Sequence, residues 1–271
     1  MKYLQNLHTH CTYCDGKDTP REMIETAIEK GFNSVGFSSH SYMNWSNVGA
    51  FKIEREQDYK NEILALKEEY KGKLDVFLGL EVDMYSKMDY SDYEYLIGSV
   101  HYLKIDGKMV GIDRLGDEIL NAANLYFGGD TLSLAEEYYS QIKNLPDSAR
   151  FDILGHFDII AKHYKSGAVI DRDNKRYRNA AIEALEALAG KIPYFEVNTG
   201  GMVRGYHNIP YPYEPFLKEF KRLGFGAVIS SDCHDRNYID FYFDESKDLL
   251  KRNGFKEIYV LKNGGFEAIE I

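Results

Sequence analysis

Along the chain, apolar and polar positions repeat in one order: an amphipathic helical stretch, a glycine, a short apolar run, then a polar residue. The first unit is the most explicit. Thr19 is placed to cap a helix whose first turn holds Pro20 and Glu22, the signature of a capping box. Met23, Ile24, Ala27 and Ile28 make its apolar stripe and Gly31 ends it. The run 33–37 then reads as a strand leading to His40. A second helix is expected over 54–71, with Tyr59, Ile63, Leu66 and Tyr70 at helical spacing, and the run 76–78 leads on to Glu81. Apolar runs at 96–100, 151–154, 194–198 and 227–229 lead in the same way to His101, to His156, to Asn198, and to Asp232 with His234. Helices are expected over 176–189 and from Pro215 to Gly224. The dipeptide Gly-Phe closes three helices, at 31–32, 224–225 and 254–255, as a left-handed stop followed by a hydrophobe would.

Strands that alternate with helices imply a parallel sheet with right-handed crossovers. About seven such units, each with polar residues after its strand, favour a barrel over an open sheet, because a barrel gathers the strand ends on one face. The fold expected is therefore α/β, a barrel of about seven units formed by one domain over residues 1–271. The stretch 102–150 is too long for a single crossover. It is expected to hold two helices, near 115–126 and 132–143, as an insertion over the barrel mouth.

Composition narrows the partners. The chain has 33 basic and 43 acidic residues, a formal charge of −10, which argues against a broad nucleic-acid surface. A small phosphorylated substrate is compatible with that charge if metal ions supply local positive charge. No stretch is apolar enough for a signal peptide or a membrane span, so a cytoplasmic protein with no membrane partner is expected. Three cysteines, Cys11, Cys14 and Cys233, are too few for a disulfide framework. Cys11-x-x-Cys14 has no second pair and no thioredoxin-like surroundings, and it reads as two small loop residues.

The chemistry lies in the histidines. Seven of eight (His8, His10, His40, His101, His156, His207 and His234) stand at or just after strand ends. One such residue alone is more often structural; six at equivalent positions of a repeating architecture point to metal. In His8-x-His10 the two side chains share one face of a strand and can reach one ion. Imidazole with carboxylate suits zinc, manganese or iron, and Glu81 and Asp232 are the natural oxygen ligands. This supply exceeds the needs of one tetrahedral ion, so two to three divalent ions are expected.

These segments resemble the motifs of the PHP (polymerase and histidinol phosphatase) superfamily, and within it the monofunctional L-histidinol-phosphate phosphatases. The motifs stand as Leu7–His8–Thr9–His10 with Asp15, 36–40 (GFSSH), 79–83 (GLEVD), 98–101 (GSVH), 154–158 (LGHFD), 196–199 (EVNT) and 231–234 (SDCH). The insertion, with Glu136–Glu137–Tyr138–Tyr139, looks like the phosphatase branch rather than the polymerase-associated exonuclease branch. The resemblance implies a distorted (β/α)7 TIM-like barrel with a trinuclear site at the C-terminal ends of its strands: one ion on His8, His10, Glu81 and Asp232, a second sharing Glu81 with His101 and His156, and a third on Asp15, His40 and His234. Asp15 stands where some relatives carry a histidine.

By the same resemblance, a metal-bridging hydroxide attacks the phosphorus of L-histidinol phosphate, releasing L-histidinol and phosphate in histidine biosynthesis. Asp232 or His234 is the candidate proton donor to the leaving alkoxide. Arg204 is the leading candidate for a phosphate clamp, with Lys162 and His207 behind it. Asp83, Asp158 or residues of the insertion are candidates to read the substrate's ammonium and imidazole. The alternatives are a PHP phosphoesterase for another small phosphomonoester or a nucleotide, a non-catalytic metal-binding module, and an amidohydrolase-like enzyme. The intact ligand set disfavours the module, and the lack of a bridging lysine disfavours the amidohydrolase. The sequence leaves the oligomeric state open.

Overall fold

In the computed structural model, which describes residues 3–46, 49, 51–163 and 170–271, strands and helices alternate from the start. The first half runs β1 (Gln5–Asn6), α1 (Pro20–Glu29), β2 (Ser34–Phe37), α2 (Glu56–Glu69), β3 (Asp75–Asp83) and β4 (Tyr95–Ser99). Then come β5 (Tyr102–Ile105), β6 (Lys108–Gly111), α3 (Gly116–Phe127), α4 (Thr131–Ile142) and β7 (Ile153–Leu154). The last part holds α5 (Lys175–Leu188), β8 (Tyr194–Asn198), α6 (Gly200–Val203), α7 (Pro215–Arg222), β9 (Gly226–Ser230), α8 (Phe243–Arg252), β10 (Glu257–Lys262) and β11 (Gly265–Glu270). The capping box of α1 forms as its sequence dictates, with Thr19 and Glu22 exchanging side-chain-to-backbone bonds.

Seven strands form one parallel sheet in the order β1-β2-β3-β4-β7-β8-β9. Its edges meet: Thr9 bridges Cys233 in parallel register and the His10 N–H donates to the Cys233 carbonyl at 2.9 Å, giving a nearly closed barrel. Strand alternation sorts the residues. On β3, Leu78, Leu80 and Val82 face the helices, while Phe77, Gly79 and Glu81 face inward. Leu7, Phe77, Tyr95, Ile97, Ile153 and Val228 fill the interior together with Leu261.

Tyr95 is the largest of these side chains. Its hydroxyl donates to the Leu7 carbonyl at 2.5 Å, and a Cβ on Gly79 would fall 2.1 Å from its Cζ. The missing side chain at Gly79 is what makes room for the ring. The barrel floor is closed by the β10–β11 hairpin, where the Gln5 amide and the Leu261 backbone exchange hydrogen bonds of 2.7 and 2.8 Å.

Within 102–150 the two helices form, preceded by an antiparallel β5–β6 hairpin that the hydrophobic pattern did not suggest. The signal was present as Asp106–Gly107, which takes positive φ at both residues, the geometry of a two-residue hairpin turn. Helix α4 packs on α5, with the Tyr139 and Tyr177 hydroxyls hydrogen bonded at 2.9 Å. It thus occupies the place of a crossover helix. Tyr102, Asp113 and Arg114, by contrast, line the cavity at the barrel mouth.

Candidate metal centre

A cavity of about 510 Å³ opens at the C-terminal ends of the strands. Its floor is polar because six of the seven strands, all but β8, carry or lead into candidate ligating residues. The parallel bridge between His40 and Glu81 puts two of them side by side.

His8 and His10 follow β1 and are fully buried. His8 Nε2 lies 3.4 Å from Glu81 Oε2 and 3.7 Å from Asp232 Oδ1; for His10 Nε2 the distances are 3.6 and 3.2 Å. Neither Nε2 has a hydrogen-bond partner among the described residues. Two imidazole nitrogens and two carboxylate oxygens therefore converge. Ligand atoms 2.0–2.1 Å from a tetrahedral ion stand roughly 3.3 Å apart, so the spacing suits one shared ion. Buried nitrogens left unpaired would otherwise be costly.

Around this quartet lie further donor sets with atoms within 4.8 Å of one another: His8, Glu81 and His156; His40, Glu81 and His101; and His10, Asp15, His40 and His234. Glu81 is the hub. Its Oε1 is 2.9 Å from His156 Nε2 and 3.4 Å from His101 Nε2, and its Oε2 is 2.7 Å from His40 Nδ1. Asp15 faces His234 Nε2 at 3.1 Å and His40 Nε2 at 3.5 Å.

The electrostatics match sites built for cations. Burial alone would raise the Glu81 carboxyl, but His8, His40 and His101 outweigh it and hold Glu81 well below the usual range. Asp232 is likewise held low against burial by Arg204 and His8. Burial, reinforced by His234 and His40, keeps His10 well below its ordinary value. For His8 and His101, burial is overcome by carboxylates, led by Glu196 and Glu81 respectively, and both are raised.

The surrounding contacts orient these groups. Glu196 accepts from His8 Nδ1 at 2.9 Å, from the His156 N–H at 2.7 Å and from Asn198 Nδ2 at 2.8 Å. The sequence motif contained Glu196 but its role was not evident: it stands two residues before the strand end, on the inward face. His10 Nδ1 faces the Cys14 thiol at 3.4 Å, and all three cysteines are free. Asp232 adopts φ +48°, a left-handed conformation that Asp tolerates.

On the substrate side, Arg204 lines the cavity and donates from Nη2 to Asp232 Oδ2 at 2.9 Å. It can come so close because a Cβ on Gly200 would lie 2.9 Å from that Nη2. Lys162 also lines the cavity, with Nζ 3.5 Å from Asp113 Oδ2 and over the Tyr206 ring. His207 does not line it. The loop after α6 folds His207 beneath Gly201 and against Tyr211, where its Nδ1 bonds the Ile209 carbonyl.

Asp83 and Asp158 are also absent from the cavity wall. Asp83 accepts from the His101 and Tyr85 N–H groups at 3.0 and 3.1 Å. Asp158 accepts from the Tyr213 N–H at 2.9 Å and is pushed up to about 6 by burial. Both accept from backbone N–H groups of the loops, and Asp83 Oδ2 also lies 3.6 Å from His101 Nδ1.

Known proteins resemble this chain along nearly its whole length. A protein of Deinococcus radiodurans named "probable histidinol-phosphatase" is 28% identical over 95% of this chain and 96% of its own length. The histidinol-phosphatase of Bacillus subtilis is 25% identical over 88% of this chain and 96% of its own. The crystal structure of histidinol phosphate phosphatase from Lactococcus lactis, complexed with zinc, L-histidinol and phosphate, superposes with a TM-score of 0.72 at 21% identity, covering 97% of this chain and 98% of that one. The family model described as PHP domain matches residues 6–200, so the chain belongs to the PHP domain family.

Proposed function

We propose that this chain is a metal-dependent phosphomonoesterase that hydrolyses L-histidinol phosphate to L-histidinol and phosphate, a step of histidine biosynthesis. The observation that carries the metal reading is the convergence of His8 Nε2 and His10 Nε2, buried and unpartnered, on Glu81 and Asp232. The substrate reading is supported by relatives named histidinol-phosphatase that match nearly end to end. Two to three zinc, manganese or iron ions would be held by His8, His10, Asp15, His40, Glu81, His101, His156, Asp232 and His234. When bound, they supply a water of lowered pKa and neutralise charge on the phosphoryl oxygens.

The chain's own residues do the rest. Glu196 fixes the tautomer and direction of His8. Arg204 and Lys162 place cationic donors on the cavity wall for the phosphate. Asp232 stays ionised beside Arg204, which makes it a poor proton donor to the leaving alkoxide. We read residues 1–271 as one domain, because β9, which leads to Asp232 and His234, is part of the same sheet as β1–β4. No helix among the described residues is long and apolar enough to cross a membrane, and a cytoplasmic location accords with this reading.

The test is phosphate release from L-histidinol phosphate, p-nitrophenyl phosphate and a dinucleotide. The reading predicts a kcat/KM for L-histidinol phosphate about tenfold or more above the generic ester, through contacts to the amine and imidazole. Equal rates on both esters overturn the substrate while leaving the reaction class. Preference for the dinucleotide overturns both.

A further inference from the structure

Among the described residues, five carboxylates line the cavity: Asp15, Glu81, Asp113, Asp232 and Asp235. Three of them, Asp15, Glu81 and Asp232, face the histidine cluster at 2.7–3.7 Å. Asp235 is committed elsewhere, to Lys17 Nζ at 3.1 Å and to the Asn237 N–H at 3.0 Å. Asp113 alone has neither role. Among the described residues its carboxylate faces Lys162 Nζ at 3.5 Å, beyond ordinary hydrogen-bond length.

The backbone holds Asp113 in place. The chain returning from the β5–β6 hairpin is pinned where the Ile112 N–H donates to the His101 carbonyl at 3.1 Å, with Ile112 fully buried. The Asp113 carbonyl bonds His163 Nε2 at 3.2 Å. Burial would raise the Asp113 carboxyl, but Lys162 and the His101 side of the cluster keep it ionised.

A substrate that carries an ammonium on the carbon next to its phosphate-ester methylene brings a second charge into this cavity. Next to a cationic centre that ammonium needs a carboxylate partner, or its desolvation opposes binding. Phosphate for Lys162 and ammonium for Asp113 would replace one long ion pair by two close ones. On the reading proposed above, we infer that Asp113 binds the substrate's primary ammonium and thereby selects aminoalkyl phosphates over amine-free phosphomonoesters.

The experiment compares wild type with Asp113→Asn and Asp113→Ala, using L-histidinol phosphate and its des-amino analogue, 3-(imidazol-4-yl)propyl phosphate. The quantity read is the ratio of kcat/KM for the two esters; metal content and thermal midpoint of each variant are measured alongside. Wild type should prefer the amine-bearing ester, and Asp113→Asn should cut the ratio by about 30-fold or more, as expected for loss of one partner of a desolvated charge pair. If wild type prefers L-histidinol phosphate and Asp113→Asn keeps the ratio, the assignment of Asp113 is overturned and the proposed function stands. The assignment is likewise overturned if both esters fall equally, or if metal content falls with the activity. If wild type does not distinguish L-histidinol phosphate from p-nitrophenyl phosphate, the substrate reading fails first and this inference with it.

Discussion

Glu196 accepts a hydrogen bond from His8 Nδ1 across 2.9 Å in the buried barrel interior, and this turns His8 Nε2 toward Glu81 and Asp232. Since the same carboxylate also receives the His156 N–H, one side chain sets the direction of two imidazole-bearing segments. Glu196→Gln keeps the shape but removes the charge. It should weaken metal binding about 10–100-fold, the usual effect of losing an orienting partner, as read by competition with a chelator. An unchanged affinity would show that the His8 ring is held by packing alone.

Arg204→Ala removes the guanidinium that lines the cavity beside Asp232. It should lower kcat/KM by an order of magnitude or more, mainly through KM, because phosphate binding is lost. Arg204→Lys should recover only part of this, since an ammonium cannot make the paired contacts of the fork. Unchanged kinetics in Arg204→Ala would remove it from the phosphate site.

Gly79→Ala tests the barrel interior. The added Cβ meets the Tyr95 ring at 2.1 Å, with no flexible neighbour to yield. A loss of about 1–3 kcal/mol is expected for such overpacking, read from the urea midpoint. A loss below about 0.5 kcal/mol, the range of surface changes, would mean that the strand shifts freely.

Acid stability tests the attachment of α4. Arg176 of α5 binds Asp130 Oδ2 at 2.9 Å and Glu136 Oε2 at 2.6 Å. Arg176, and after it the Ser133 hydroxyl, hold Asp130 at about 2, below the roughly 3.9 of a free aspartate. A depressed folded-state value contributes stability that is complete above about pH 4 and is lost as pH falls toward 2. Arg176→Gln should therefore unfold at a lower urea concentration than wild type at pH 7, and the gap should close near pH 2. A gap that persists in acid would show that the pair contributes through packing.

Much of this architecture could be read from the chain. The capping box at Thr19 and Glu22, the glycine stops and the strand-end histidines follow from local rules that tertiary contacts reinforce. Two strands were harder to delimit: β1 and β7 have only two residues each, and their places in the sheet come from neighbours rather than from alternation. The β5–β6 hairpin was announced by Asp106–Gly107, a turn signal that the surrounding pattern obscured. What one sequence could not show was how loops pack behind the strand ends. His207 stands apart from the six strand-end histidines, in the loop after Asn198, and that loop folds it under Gly201. Asp113 looks like an ordinary loop acid until the hairpin brings it beside Lys162.

Phosphate release is held to depend on metal ions bound by the His8, His10, Glu81 and Asp232 quartet and its neighbours. Elemental analysis of the purified protein puts this to the test, with L-histidinol phosphate turnover measured before stripping, after stripping and after readdition of zinc, manganese or iron. Two to three transition-metal ions per chain are expected, with loss of turnover on stripping and recovery in proportion to metal restored. Full turnover in protein that carries less than one ion per chain would contradict the dependence.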